Sequence, residues 1–476
     1  MDWGKNNVNA GPLPEMKEIC IDHFVGKDLE STAFFLSHAH TDHTVGLETE
    51  AFLERLKEPG IKLYCQAITP ILLGDFERYL GGEAGIEKLV RCGKLVPLDA
   101  EKTVEIEIPA KPSSYFVELT LLPAGHCPGS VMFLFESGSK RILHTGDCRI
   151  SVDDLKVMRH LHVGPLSSGH VKSIDHLFVD STFCSKSAEV FPDRRIAFEE
   201  AINYVRNHLK RGDKYYIKLK FAARFAHEYI IQELFKVFRH KVHVNKNRFM
   251  IYEQIPGLRD CVTLSPSTPF HLCDKTECFC GKETLTVRLS SMWYTKAQAE
   301  TRSPIMKKGS FLTVCYSMHS SLTEIAKMID YLKPVAVTPV VKPNGCSMQE
   351  VQEALISLCG WRFEYEDYQS GKSHLITEDS LSCDKSPRPL DGNEDAEECC
   401  ISLPKRAKID ESNSKWNYCF TPSPTKSASS SRENSQEIIA DGLDFSTLDN
   451  NPGTSKVVNN LKHTWRKQDF HENHGF

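Results

Sequence analysis

The chain is 476 residues long, about three times a typical single domain, so two or three units are expected. With 40% apolar residues, 25% charged residues and a formal net charge of −5, it has the composition of an ordinary soluble protein, not of a polycation that coats DNA by bulk charge. No run of about eighteen apolar residues occurs, which excludes a membrane-spanning helix. The opening MDWGKNNVNAGPLPEMKEIC lacks the apolar core of a signal peptide, so secretion is not expected. Seventeen cysteines, an odd number, and twenty histidines then point to reduced thiols and metal ligation instead of a disulfide framework.

In chain order, Thr32–Leu36 is an aromatic, apolar run too short for a helix and reads as a strand. Glu48–Leu56 and Ile68–Tyr79 carry helical periodicity, with a strand at Leu63-Tyr64 between them. Val117–Leu122, Val131–Phe135 and Arg141–His144 read as strands, with Glu136–Ser139 as a hairpin turn in which Gly138 takes positive φ. Ala197–Leu209, Ala226–Phe238, Leu322–Leu332 and Met348–Leu358 read as helices. This order predicts an α/β protein of layered sheets flanked by helices. From Ser370 to Phe476 the 107 residues include 16 serines and carry a net charge of −4, leaving −1 for the rest. Such a stretch buries too little apolar surface to offset its ordering entropy, and a disordered tail is expected.

The most informative residues are His38-Ala39-His40-Thr41-Asp42-His43. Three histidines and a carboxylate in six positions cannot share one face of a strand or helix. A tight loop, however, can aim His38 and His40 at one ion and Asp42 and His43 at a neighbour. Neutral imidazole and carboxylate suit zinc and related first-row ions. His126, on the Gly-rich turn Pro123–Ser130, and Asp147, after Gly146, also fall at strand ends. A second set lies further on: His271 and Cys273, then Cys278 and Cys280, with His243 upstream. Two imidazoles and two thiolates make the closed tetrahedral set of a structural zinc. Between Arg206 and Arg248 there are twelve Lys or Arg against three acidic residues, with Tyr204, Tyr215, Tyr216, Phe225 and Tyr229 interleaved or alongside. That pattern is either a solvated helix face over core aromatics or a phosphate-tracking surface.

The order HxHxDH, then Gly125-His126, then Thr145-Gly146-Asp147 resembles the metallo-β-lactamase family. Leu121–Phe135 and Val179–Cys184 resemble its β-CASP DNA-nuclease branch, over about Ile21 to Leu358. The resemblance implies an αββα sandwich in two parts, 1–170 and 319–369, around a β-CASP insertion at 171–318, with a regulatory tail at 370–476. It implies a first metal, zinc, on His38, His40, His126 and Asp147. A second, zinc, magnesium or manganese, would lie on Asp42, His43, Asp147 and His319. Asp22 would orient a ligand from behind, and Asp180 would join Asp42, Asp147 and His319 in the catalytic set. Two ions about 3.5–4 Å apart would activate a water and clamp a phosphate for in-line attack. The implied reaction is phosphodiester hydrolysis leaving a 5′-phosphate and a 3′-hydroxyl.

Val341 stands where RNA-processing members have histidine, which favours DNA. Ala226-His227-Glu228 replaces the Gly-Lys-Glu of strict 5′-exonucleases, which favours cutting at hairpins and overhangs. Ser317, Lys218 and Lys220 are candidate phosphate contacts. The branch's zinc-knuckle order selects His243, His271, Cys273 and Cys280, while the shorter gap here leaves Cys278 as a competitor. The resemblance further implies end joining of double-strand breaks in the nucleus. DNA with hairpin, overhang or single-stranded ends would be the substrate, and the tail would engage DNA-dependent protein kinase and a DNA ligase. Alternatives are a 5′-exonuclease of crosslink repair, an RNA-processing nuclease or a non-catalytic scaffold. In the tail, Leu403–Lys408 reads as an import signal or a chance basic cluster, and Ser435-Gln436 as a damage-kinase dipeptide.

Overall fold

Short apolar runs punctuated by turn residues build the first sheet. In the computed structural model, β1 (Gly11–Leu13), β2 (Met16–Ile21), β3 (Ala33–Leu36), β4 (Lys62–Gln66) and β5 (Leu95–Leu98) lie in that order. The structure describes residues 10–74, 86–166, 169–221, 223, 225–273, 276–279, 281–294, 303–343 and 345–359, with short strands at Glu366–Asp367 and Lys372–Ser373. These belong to one compact unit, Met1–Pro422. Cys280, Leu403–Lys408 and Ser435-Gln436 lie outside the described residues, as does nearly all of the expected tail. Among the described residues no helix is long and apolar enough to cross a membrane.

β2 to β5 pair in parallel, so each connection must cross over the sheet. Between β3 and β4 the crossover is α1 (Glu50–Lys57). Thr49 caps it by accepting from the Phe52 N–H, and it buries Phe52 and Leu56. Phe52 packs edge-on against Phe34 at 5.1 Å and lies 4.9 Å from Phe24, covering the outer face of the sheet. Between β4 and β5 run α2 (Thr69–Leu72) and α3 (Ile86–Arg91). The helix expected over Ile68–Tyr79 is thus a single turn as far as the described residues go.

The second sheet continues with β6 (Thr103–Ile108), β7 (Tyr115–Pro123), β8 (Val131–Ser137) and β9 (Lys140–His144) as an antiparallel meander. Gly138 turns the β8–β9 hairpin at φ +59°. After α4 (Val152–Val157), β10 (His176–Val179) joins β9 in parallel. Alternation along β8 sends Val131, Phe133 and Phe135 to one core and Met132 and Leu134 to another. The first core lies between the sheets, where Phe35 stacks on Tyr64 and meets Phe133 and Phe135 edge-on. Each such fully buried ring contributes about 1.5–3 kcal/mol. The second core lies under the helices Leu322–Leu332 and Met348–Cys359. The result is a helix–sheet–sheet–helix sandwich.

Between β10 and the helix at Leu322 the chain builds a third, seven-stranded sheet. It contains β11 (Tyr215–Lys220), β12 (Val242–Val244), β13 (Val262–Thr263), β14 (Phe270–Leu272), β15 (Glu283–Leu289), β16 (Ile305–Lys308) and β17 (Phe311–Val314). α5 (Arg194–Leu209), α6 (Glu228–Phe238) and α7 (Lys246–Tyr252) accompany it. Phe198 and Ile202 of α5 and Ile230 and Leu234 of α6 meet Leu219, Val287 and Leu289 of the sheet. α6 begins at Glu228 and not at Ala226, because Ala226 and His227 belong to the loop before it. The chain then returns to the sandwich through Leu322–Leu332, whose Ser321 and Glu324 form a capping box. β18 (Ala336–Pro339) finally pairs with β10 on the edge of the second sheet.

Candidate metal centre

The chemistry-bearing residues follow strand ends at one rim of the sandwich. His38–His43 follow β3, His126 sits in the β7–β8 turn, Asp147 follows β9, Asp180 follows β10, and His319 follows β17. Two glycines make the turns. Gly125 has φ +69° and a Cβ there would lie 2.3 Å from the Arg149 carbonyl oxygen; Gly146 has φ +51° and its Cβ would lie 2.8 Å from Ser37 Cβ. Only glycine fits both positions without strain.

Asp147 is the hub. Its Oδ2 lies 3.7 Å from His38 Nε2, 3.5 Å from His126 Nε2 and 3.9 Å from His319 Nδ1, and its Oδ1 lies 3.3 Å from His43 Nε2. His40 Nδ1 faces His126 Nε2 at 3.1 Å. A tetrahedral ion with bonds of about 2.0–2.1 Å holds its donors about 3.3 Å apart, and these spacings fit that geometry. His38 Nε2 is buried and makes no hydrogen bond, as suits an atom whose partner is an ion. Asp42, more open to solvent, has Oδ2 3.9 Å from His43 Nε2. Cys127, unassigned by the sequence pattern, also brings its sulfur within 4.8 Å of the donor atoms of His38, His40 and His126. Burial pushes its thiol well up, so it stays neutral.

His38, His40, His43 and His126 are braced through the nitrogen turned away from the cluster, and His319 through Nδ1, the nitrogen that also faces Asp147. Asp22, in the left-handed region at φ +56°, accepts from the Ser37 N–H at 2.7 Å, from Ser37 Oγ at 2.5 Å and from His43 Nδ1 at 2.8 Å. Ser37 Oγ in turn faces His38 Nδ1 at 2.9 Å. His40 Nε2 donates to the Phe225 carbonyl at 2.7 Å and His126 Nδ1 to the Met318 carbonyl at 3.0 Å. His319 Nδ1 lies 2.8 Å from Asp180 Oδ2, and Asp180 also accepts from the Cys148 N–H, the Thr182 N–H and Thr182 Oγ1. Each bond selects a tautomer and a ring plane.

Burial and neighbouring imidazoles lower the pKa of His38 and His126 well below the usual range, and burial lowers His40 to about 4. These rings are therefore neutral and able to ligate. Burial opposes charge on His43 and His319 too, but nearby carboxylates win. Asp147, Asp22 and Asp42 raise His43 well above its ordinary value, and Asp180 and Asp147 raise His319 to about 9. A cavity of carboxylates that draws protons onto its imidazoles is one that a divalent cation fits.

The second cluster lies in the inserted sheet. Parallel pairing of β12 with β14 sets His243 beside His271, their Nδ1 atoms 3.0 Å apart. Cys273 Sγ is 3.5 Å from His243 Nδ1 and 3.8 Å from His271 Nδ1. The sulfur that joins them among the described residues is Cys278, 3.7 Å from Cys273 Sγ and 3.7 Å from His243 Nδ1.

Residues 265–345 match the family model described as "DNA repair metallo-beta-lactamase". The chain is 31% identical to mouse protein artemis over 370 residues, 73% of this chain and 50% of the relative. Identity to human protein artemis is also 31%, over 369 residues, 73% of this chain and 51% of the relative. The chain belongs to the DNA-repair metallo-β-lactamase family. Mouse 5′ exonuclease Apollo is 31% identical over 320 residues, 66% of this chain and 51% of the relative. The chain thus spans about half the length of the curated relatives it matches. Its sandwich is the metallo-β-lactamase fold and its seven-stranded sheet lies in the β-CASP insertion.

Within this DNA-repair metallo-β-lactamase chain, the remaining sequence candidates fall outside the cluster around Asp147. Ser317 Oγ donates to the His319 carbonyl at 2.7 Å and accepts from the His319 N–H, so it shapes the His319 turn. Lys218 registers with His271 and lies 5.1 Å from the Phe279 ring, on the knuckle side. Lys220 ends β11 and is exposed. Val341 packs against the inter-sheet core, and its N–H donates at 3.1 Å to Ser181 Oγ, next to Asp180. Two residues escaped the sequence reading, and a third, Phe225, entered it only as an aromatic beside the basic run. Arg149, buried, bonds to Glu324, the Ser317 carbonyl and the Pro192 carbonyl, and Arg194 bonds to the Gly125 and Arg149 carbonyls. Together they clamp the backbone beside His126 and His319. Phe225 acts through its carbonyl, and no side-chain pattern announces that.

Proposed function

We propose that the chain is a metal-dependent DNA nuclease that hydrolyses phosphodiesters at ends, hairpins and overhangs, in end joining of double-strand breaks in the nucleus. The observation that carries this is Asp147, with imidazole nitrogens of four histidines at 3.3–3.9 Å from its carboxylate. In this reading His38, His40, His126 and Asp147 hold a zinc ion, and Asp42, His43, Asp147 and His319 hold a second ion, zinc, magnesium or manganese. When bound, such ions supply Lewis acidity that lowers the pKa of a water and neutralises phosphate charge. The chain's own part is positional. Asp147 serves both ions, Asp22 keeps His43 in register, and Asp180, with its oxygens taken up by four donors, holds His319 instead of reacting.

DNA as substrate is supported by the relatives' names and by cations laid on aromatic rings near β11. Arg211 lies 4.3 Å from the Tyr215 ring and Lys282 Nζ 4.5 Å from the Tyr216 ring, a grouping of cations suited to backbone phosphates. We assign Lys220 as a phosphate contact, and domain limits of 1–170 and 319–369 around 171–318. His243, His271, Cys273 and Cys278 form a structural zinc knuckle, and the tail from 370 engages the kinase and ligase of end joining. A 5′-exonuclease reading is favoured by one observation, the similarity to Apollo. The test compares purified protein on hairpins, overhangs, 5′-phosphorylated single strands and matched RNA, with and without chelator. Chelator-sensitive cutting of hairpins and overhangs is expected. RNA turnover equal to DNA turnover, or cutting confined to 5′-phosphorylated ends, would replace this reading.

A further inference from the structure

Among the described residues, the loop between β11 and α6 reaches the metal centre through the Phe225 carbonyl. The Phe225 carbonyl accepts from His40 Nε2 across 185 residues, and the Phe225 ring lies nearly parallel to the imidazole, 6° apart at 6.4 Å. This bond keeps the His40 proton on Nε2 and leaves the Nδ1 lone pair facing His126. His38 and His43 are braced from inside the sandwich by Ser37 and Asp22. His40 is braced from the insertion.

Three residues beyond Phe225, Glu228 opens α6 with a side chain that is 1% exposed. Its Oε1 accepts from Tyr252 Oη at 2.7 Å, and Tyr252, fully buried, is the last residue of α7. Its Oε2 is buried without a hydrogen-bond partner among the described residues. His227, at the N-cap of α6, makes no side-chain cap bond, and Glu228, the first residue of the helix, is tied through Tyr252 to the end of α7. Burial raises its pKa well above the carboxylate range, which makes it a neutral acid. A buried acid costs more than an apolar side chain of the same volume, so its presence calls for a positional reason. The chain of contacts supplies one, running from α7 through Tyr252 and Glu228 to the 225–227 loop and on to His40.

We propose that Glu228 is a positioning residue for the active-site metal: tied to Tyr252, it holds the loop so that the Phe225 carbonyl keeps His40 in its Nδ1-ligating form. This rests on the metal-hydrolase reading above. The test titrates cobalt and zinc into full-length apo-protein against a chromophoric chelator. Cobalt separates the centres, because thiolate ligation gives a charge-transfer band that a His/Asp site lacks. Glu228→Ala is expected to weaken metal at the His/Asp centre about tenfold, the scale seen when a ligand's supporting partner is lost, with the thiolate band unchanged. Glu228→Gln keeps the acceptor for Tyr252 and is expected to stay within about twofold of wild type. Should Glu228→Ala not fold, Tyr252→Phe, which removes only the donor, is expected to weaken the same centre several-fold. Wild-type affinity in the folded variants, or Glu228→Gln as weak as Glu228→Ala, overturns the inference. A wild-type protein that takes no ion at the His/Asp centre overturns the hydrolase reading itself and this inference with it.

Discussion

A carboxylate whose two oxygens face four imidazoles is where one substitution removes most of the chemistry. Asp147→Asn keeps the volume but loses the charge that both proposed ions share, so hairpin cutting is expected to fall at least about a hundredfold. Metal content measured on the same preparation should fall with it; a variant keeping both would move the hub elsewhere. Gly125 is a different kind of requirement. At φ +69°, with a Cβ landing 2.3 Å from the Arg149 carbonyl, Gly125→Ala should cost about 1–3 kcal/mol from backbone strain alone, and more from the clash. A urea midpoint equal to wild type would show that the His126 turn has another conformation available.

At the scale of elements, the proposed zinc knuckle of the inserted sheet would be made by register. β12 and β14 pair so that His243 and His271 adjoin, and the short helix Thr276–Phe279 brings Cys278 to them. Cys273→Ser and Cys278→Ser are each expected to release one zinc per chain and lower the melting temperature, because structural zinc contributes folding free energy directly. Cys280→Ser should leave both unchanged. Loss of zinc from Cys280→Ser with retention in Cys278→Ser would return the fourth ligand to the position selected by the family's spacing.

For the whole molecule, buried imidazoles set how the metal-free protein responds to pH. His40 and His144 are lowered to about 4 and His227 to about 3, in each case chiefly by burial. Unfolded, each titrates near the ordinary value of about 6.5. As pH falls below that value the unfolded chain takes up protons that the fold refuses, and stability falls. His319, raised to about 9, works in the opposite sense. Its contribution is complete below pH about 6.5 and is lost as pH rises through 9. Chelator-treated protein should therefore be most stable near pH 6.5, losing at least about 2 kcal/mol by pH 5. Urea midpoints across pH 5–9 read this directly, and a flat profile would mean that the imidazoles are more hydrated than their burial indicates.

The convergence of His38, His40 and His43 on one cluster was legible because so much donor chemistry in six consecutive residues has few other uses. The layered fold was legible because alternation along β8 and periodicity over Leu322–Leu332 are local properties of the chain. Local pattern did not reach the start of α6, where Ala226 and His227 lie in the loop that follows the Phe225 carbonyl bonded to His40. Nor did it foresee Arg149 and Arg194, two cations whose partners are carbonyls in turns far along the chain. The placing of His243 beside His271 follows from strand register, which spacing alone does not encode. Residue types and their local spacing determined which chemistry this chain can support. Which nitrogen of each imidazole is free to use, and which groups hold it there, was decided only when β strands distant in sequence came to share one rim, because hydrogen-bond partners 21 to 192 residues apart are brought together by packing and not by order along the chain.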